Sequence, residues 1–213
     1  MVKRAFIRAL WGISKGEIAD NLLKEFPSKR VNAAIRGLSR VKRDINRLND
    51  KSVEGPEFIT YTFGKNNVDF LNELGIESRL INEDYLPYPT KTWWHKIDVL
   101  RYAMEEDGFD EIVFLDWDCV LKRPLLKDVW ERLGQKEDFQ ACLMKYSYHV
   151  LNHRKGKENK FVPNGGFVYI RDKSIPAKIE KWSRINPNQW LDEAAYAKYL
   201  DDRTSGWIGT SSY

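Results

Sequence analysis

Apolar positions in this chain fall into short runs and periodic stretches that alternate along its length. Residues 3–11 (KRAFIRALW) read as a buried first strand, broken at Gly12. From 28 to 48, Val31, Ala34, Ile35, Leu38, Val41, Ile45 and Leu48 keep the i, i+3/i+4, i+7 spacing of an amphipathic helix. Residues 51–56 read as a loop. Residues 57–63 (EFITYTF) alternate and are rich in β-formers, which predicts a second strand closed by Gly64. A short helix over 67–74 stops at Gly75, and a third strand is expected over 77–81. Trp94, Ile97, Leu100 and Arg101 give 90–106 helical periodicity, ended at Gly108. The strongest strand, EIVFL over 111–115, runs straight into Asp116-Trp117-Asp118. Beyond it the pattern predicts helices over 124–133, 175–182 and 191–200, with strands over 139–144 and 166–170.

Strands alternating with helices of this length predict an α/β fold, with a central, mainly parallel sheet flanked by helices. A chain of 213 residues suits one sizeable domain, and neither an internal repeat nor a low-complexity linker divides it. The last eight residues carry Trp207 and Tyr213 and do not resemble a frayed tail, so the expectation is the first domain of something longer.

Composition changes this picture little. Hydrophobic residues are 42% and charged residues 31%, as in ordinary folded domains. No apolar run approaches the roughly 18 residues of a membrane span, and the charged start lacks a signal peptide's apolar stretch. The expectation is a soluble, cytoplasmic protein. Cys119 and Cys142 lie in apolar runs and read as buried free thiols; neither forms a CxxC pair or lies within a few residues of His95, His149 or His153. Charge matters more. Residues 28–48 hold seven basic side chains against Asp44, a local +6 that leaves the rest of the chain at −2 of the total +4. That helix reads either as a solvated face or as a docking face for an acidic acceptor or an anionic membrane. It matches no nucleic-acid-binding motif, and no nucleic-acid partner is expected.

The chemistry-bearing feature is the pair Asp116 and Asp118. Buried strands do not normally finish in two carboxylates, and alternation puts both on one side. Two close like charges repel unless a cation joins them, and a hard divalent ion such as Mn²⁺ or Mg²⁺ prefers such oxygens together with substrate phosphates. In open α/β sheets the ligand crevice lies at this end of the strands. The competing interpretation is a solvent-exposed acidic turn.

A buried strand ending in D-x-D, followed by a short polar turn to Pro124-Leu125, resembles the GT-A glycosyltransferases. Trp94-His95-Lys96-Ile97 resembles the segment where they keep a basic residue near the first aspartate. Asn164-Gly165-Gly166-Phe167-Val168-Tyr169-Ile170 resembles their N-x-G strand along the donor-sugar pocket, and Trp190-Leu191-Asp192-Glu193-Ala194 their acidic helix start facing the sugar. The likeness runs from the first strand to about residue 200 and is similar to small enzymes of large algal viruses (chloroviruses), which would put the protein in the host cytoplasm.

That resemblance implies one Rossmann-like GT-A domain over 1–213, with a nucleotide-binding half over about 1–120 and a sugar and acceptor half over about 121–213. It implies a UDP-sugar donor, a glucose-like hexose, a glycan or glycoprotein acceptor, and a Mn²⁺ or Mg²⁺ ion held by Asp116 and Asp118, with Trp117 between them at the donor. Lys96 is implied to neutralise Asp116 or a phosphate, unless it is a solvated helix lysine. Asn164 is implied to bond sugar hydroxyls, with Gly165 and Gly166 permitting close backbone approach; the alternative is a hairpin turn. Asp192 and Glu193 are implied as general base or as stabilisers of an oxocarbenium-like state, although a helix's first turn favours acids anyway. Arg8, Leu10, Thr60 and Tyr61, on the early strands, are expected near the nucleobase. The layout leans to retention of anomeric configuration. One departure stands out: many relatives supply a histidine ligand near the end of the fold, and none follows His153 here.

The same acidic stretch also matches the nucleophile motif of haloacid-dehalogenase-like phosphatases, with Asp116 attacking phosphorus. That fold opens with this strand, whereas about 110 residues of α/β pattern precede it here. A non-catalytic domain binding a nucleotide sugar or an anionic partner is the remaining alternative.

Overall fold

In the computed structural model, the described residues are 2–10, 57–73, 76–83, 94–116, 130–135, 138–145, 161–186, 195, 196 and 199. They contain six strands, β1 (Arg4–Leu10), β2 (Glu57–Phe63), β3 (Arg79–Asn82), β4 (Glu111–Leu115), β5 (Phe139–Lys145) and β6 (Phe161–Ile170). Three helices accompany them, α1 (Lys65–Glu73) between β2 and β3, α2 (Trp94–Glu105) before β4, and α3 (Ile175–Ile185) after β6. The expected helix over 28–48 and most of those over 124–133 and 191–200 lie outside the described residues, although 130–134 is helical.

The strands form one sheet in the order β3-β2-β1-β4-β6-β5. Pairs β1–β2, β1–β4 and β2–β3 are parallel, whereas β6 runs against both β4 and β5. The mainly parallel α/β sheet expected from the alternation is therefore present, with one reversed strand.

Alternation along each strand sorts the core into two layers. Ala5, Ile7, Ala9, Ile59, Ile112, Phe114, Val168 and Ile170 face one side and pack with Ile97, Val99, Leu100 and Ala103 of α2 and Ile175 and Ile179 of α3. Phe6, Val113, Leu115 and Tyr169 face the other, against Trp130 and Leu133. All five residues of β4 are buried, which is why its sequence is continuously apolar after Glu111. Glu111 is itself 4% exposed. It faces Arg4 at 3.2 Å and accepts a 3.2 Å hydrogen bond from the Tyr169 hydroxyl. Burial first, then the Glu111 charge, pushes the Tyr169 phenol up to about 12. Glu111→Ala is expected to cost about 1–3 kcal/mol, because a buried hydroxyl loses its acceptor. Urea denaturation checks this, and a change below about 0.3 kcal/mol would contradict it.

Three residues beyond the end of α2, Gly108 takes φ +69°, a left-handed conformation that suits glycine. The chain then turns into β4, with the Phe109 amide donating to the Ala103 carbonyl at 3.1 Å. An Arg101–Glu180 ion pair at 2.9 Å ties α2 to α3.

One element differs from the sequence expectation. β6 begins at Phe161, not near 166, so Asn164-Gly165-Gly166 lies within a strand and is not a hairpin turn. Its pairing with β5 jumps from Ala141↔Val168 to Cys142↔Asn164, which leaves residues 165–167 bulged relative to β5. On the β4 side, the pairing reaches Leu115↔Phe167.

Candidate functional site at the carboxyl end of strand β4

The order β3-β2-β1-β4 means the chain builds outward from β1 in one direction and then returns to its other side. The crevice of such a sheet opens at this reversal, beyond the carboxyl ends of β1 and β4. Asp116 is the residue that follows β4 there. Because β6 is antiparallel, its amino half reaches the same end of the sheet, and the Asp116 amide donates to the Gly166 carbonyl at 2.9 Å.

Lys96 joins these pieces from the first turn of α2. Its ammonium lies 3.3 Å from Asp116 Oδ1 and donates to the Gly165 carbonyl at 3.2 Å. It also sits 5.0 Å from the centre of the Phe114 ring. The Lys96 side chain is 5% exposed and that of Asp116 37%, so the cation is sealed in the protein while its carboxylate partner opens to solvent. A buried ammonium is stable only with such partners, a carboxylate, a carbonyl and a ring face. The structure therefore brings together Lys96, Asp116, Gly165 and Gly166. The backbone of Asn164 is on the same strand, opposite Cys142. Trp117, Asp118, Asp192 and Glu193 lie outside the described residues. So does Cys119. Among the described residues no group of three or more His, Cys, Asp or Glu is placed to hold a metal.

The early-strand residues divide. Arg8 and Thr60 are side by side in register, and Arg8 is also level with Leu115, one residue short of Asp116. Both are buried, and the Arg8 guanidinium stacks over Phe58 at 4.8 Å. The Leu10 backbone marks the carboxyl end of β1, paired with Thr62. Tyr61 is a correction. Consecutive strand residues point to opposite faces, so Tyr61 projects away from Arg8 and Thr60 into the helix-covered core. Its hydroxyl donates to the carboxylate of Asp107, before the amino end of β4 and so at the far end of that strand from Asp116. Burial, then the Asp107 contact, raises its pKa far above the ordinary phenol value. Tyr61 is thus placed for packing and not for a nucleobase.

Two contacts at the site were not read from the sequence. Phe114 lies beneath Lys96, and its i, i+2 relation to Asp116 puts both on one face of the strand, a signal present in the sequence. His95 stacks on Phe63 at 4.5 Å, a contact between distant elements that sequence spacing does not reveal. Burial pushes the His95 imidazole from the ordinary 6.5 down to about 4. In the folded state this ring stays neutral where the unfolded chain's ring is already charged. Its contribution is thus fully present above about pH 6.5 and is lost as pH falls toward 4, by at most about 3 kcal/mol. His95→Phe is expected to flatten the fall in stability between those pH values, followed by denaturation midpoints. An unchanged acid limb in the variant would contradict the assignment.

No family model matches the sequence, and no curated protein matches it either. Solved structures do match in shape. A glycosyltransferase involved in glycosylation of the major capsid of PBCV-1 superposes with TM-score 0.50 at 11% identity, over 99% of this chain and 81% of that one. The 4-diphosphocytidyl-2C-methyl-D-erythritol synthase of Anaerococcus prevotii gives 0.53 at 10% identity, over 100% and 88%. The glycosyltransferase GlyE of Streptococcus pneumoniae gives 0.48 at 13% identity; the match covers 95% of this chain and 44% of GlyE. This is a Rossmann-like α/β fold. It is the GT-A-like architecture that glycosyltransferases and nucleotidyltransferases share. No helix among the described residues is long and apolar enough to cross a membrane.

Proposed function

We propose that this chain is a metal-dependent glycosyltransferase that moves a hexose, glucose-like, from a UDP-sugar to a hydroxyl of a glycan or glycoprotein acceptor. The observation that carries this reading is Asp116, opening to solvent at the reversal point of the sheet and backed by a buried lysine. A structural ion pair has no need of an exposed carboxylate above a sealed cation, whereas a ligand site does.

The solvent-facing Asp116 carboxylate supports a hard divalent ion as the partner of this site. Asp116 supplies carboxylate oxygen at the crevice, and Asp118, two residues on, is the proposed second ligand; Mg²⁺-type sites are held by one or two carboxylates plus substrate phosphates. When bound, such an ion supplies positive charge against the negative charge that builds on a departing diphosphate. The remaining roles fall to the chain itself. Lys96 fixes the Asp116 carboxylate and couples it to the Gly165 carbonyl. Asn164, Gly165 and Gly166 line the sugar subsite, where the backbone of β6 approaches closely. Trp117 lies against the donor, and Arg8, Leu10 and Thr60 support the nucleobase end from β1 and β2. Asp192 or Glu193 either takes the acceptor proton or stabilises an oxocarbenium-like state, and retention is the favoured outcome.

In a phosphatase of the haloacid dehalogenase type the strand bearing Asp116 would open the fold. Here it follows three parallel strands and borders an antiparallel one. The test is a panel of nucleotide sugars with Mn²⁺, scored by equilibrium binding and by slow hydrolysis. The expected result is UDP-hexose binding that chelation abolishes, with release of UDP. Pyrophosphate release from a nucleoside triphosphate and a sugar phosphate would replace this reading with nucleotidyl transfer. A covalent phosphate trapped on Asp116 would replace it with phosphate hydrolysis.

A further inference from the structure

Strands β5 and β6 run on together past the candidate site. The described pairing of β4 with β6 ends at Leu115↔Phe167, whereas β6 stays paired with β5 up to Lys145↔Phe161. Phe114 and Ala141 are both level with Val168, so Asp116 stands two residues past that level and Lys145 four. The end of β5 is therefore about 7 Å beyond Asp116 along the strands and about 10 Å to one side, a separation of about 12 Å. Residues 146–160 lie outside the described residues, but Lys145 and Phe161 hold both of their ends at the crevice end of the sheet. This connection is strongly basic. Arg154, Lys155, Lys157 and Lys160 stand against Glu158, a local +3; with the +6 of 28–48 it leaves −5 for the remainder of the chain. Tyr146 and Tyr148 precede the basic residues.

A connection with this charge, rooted beside a ligand crevice, attracts an anion. Its root lies farther from Asp116 than the roughly 8 Å over which exposed charges act at physiological ionic strength, so it stands beside the diphosphate anchor and not over it. The proposed sugar subsite on β6 lies between the two, and the next group outward is the acceptor. Lysine and arginine recognise carboxylate and phosphate groups. Tyrosine rings offer flat apolar faces with a polar edge, which suit a sugar ring. We infer that the connection between β5 and β6 recognises an acceptor saccharide that carries a carboxylate or phosphate group. This rests on the glycosyltransferase reading and adds to it the chemical class of the acceptor.

The experiment is calorimetric titration of the full chain, with Mn²⁺ and UDP present, with a galacturonic acid oligosaccharide, a mannose oligosaccharide bearing 6-phosphate, and the neutral counterpart of each. The wild type is expected to bind at least one anionic oligosaccharide about tenfold more tightly than its neutral counterpart, a gap that narrows at high salt. Which of the two shows the gap decides between carboxylate and phosphate. The triple variant Arg154→Gln/Lys155→Gln/Lys157→Gln should close the gap to within about twofold while its affinity for UDP is unchanged, which also shows that it folds. The variant Arg154→Lys/Lys155→Arg/Lys157→Arg keeps the charge and should keep the gap. Equal binding of anionic and neutral forms by the wild type overturns the inference, as does a gap that persists in the glutamine variant. A fall in UDP affinity in that variant would assign these bases to the donor and also overturn it. So would tighter binding of a single-stranded oligonucleotide of equal charge than of either oligosaccharide, in favour of a nucleic-acid surface. Failure of the wild type to bind UDP with Mn²⁺ at all would instead sink the glycosyltransferase reading, and the acceptor class with it.

Discussion

Asp116→Asn is expected to abolish metal-dependent binding of a UDP-sugar and to lower transfer by two to three orders of magnitude. Asparagine keeps the size of the side chain and removes its charge, so the change isolates electrostatics from packing. A single charge pair at about 4 Å is worth roughly 4 kcal/mol at an effective dielectric near 20, close to a thousandfold. Asp116 is 37% exposed, and solvent screening brings the expectation nearer a hundredfold. The variant also leaves the buried Lys96 ammonium facing a neutral amide, so a modest fall in thermal stability should accompany the loss. Binding is measured calorimetrically with Mn²⁺ and again after chelation. Undiminished Mn²⁺-dependent affinity in Asp116→Asn would remove this residue from the site.

The largest expected effect on stability comes from Phe114→Ala. Phe114 is 1% exposed and lies in the helix-covered layer of the core with Ile7, Ile97 and Leu100. Its ring also lies beneath the Lys96 ammonium. Truncation of a buried phenylalanine costs about 3–5 kcal/mol through lost transfer energy and the cavity left behind. For a chain of this length that corresponds to a fall of roughly 10 °C in Tm. Phe114→Leu refills most of the volume and should cost about 1–1.5 kcal/mol while removing the ring beneath the ammonium. Differential scanning calorimetry of both variants checks the ordering. Equal losses would mean that cavity formation at this position is not the cause.

The sequence made β4 and its acidic end legible because a strand buried on both faces must be apolar throughout, and EIVFL stands out against its polar flanks. Residues 57–63 were equally clear from alternation, and the observed β2 has those bounds. The turn-like Asn164-Gly165-Gly166 makes the sequence predict a strand only from Gly166, whereas β6 starts at Phe161. The two glycines are accommodated in a strand because the pairing with β5 shifts past them. Its antiparallel direction was not legible either, since direction depends on where a strand docks and not on its own composition. Tyr61 was misplaced for a different reason. Alternation tells which residues share a face, but not toward which end of the sheet a side chain reaches, and the contact of the Tyr61 hydroxyl with Asp107 decided that. Lys96 was readable as a basic residue before the acidic strand. Its burial and its Gly165 contact depend on α2, β4 and β6 meeting at one end of the sheet, which no local pattern encodes.

The central claim is that Asp116 anchors a metal and diphosphate at the carboxyl end of β4. Anomalous diffraction from crystals grown with Mn²⁺ and UDP tests it most directly. The account predicts a manganese peak within about 2.5 Å of an Asp116 or Asp118 carboxylate oxygen, with the diphosphate on its far side. A manganese peak elsewhere, or UDP bound away from the ends of β1 and β4, would contradict it.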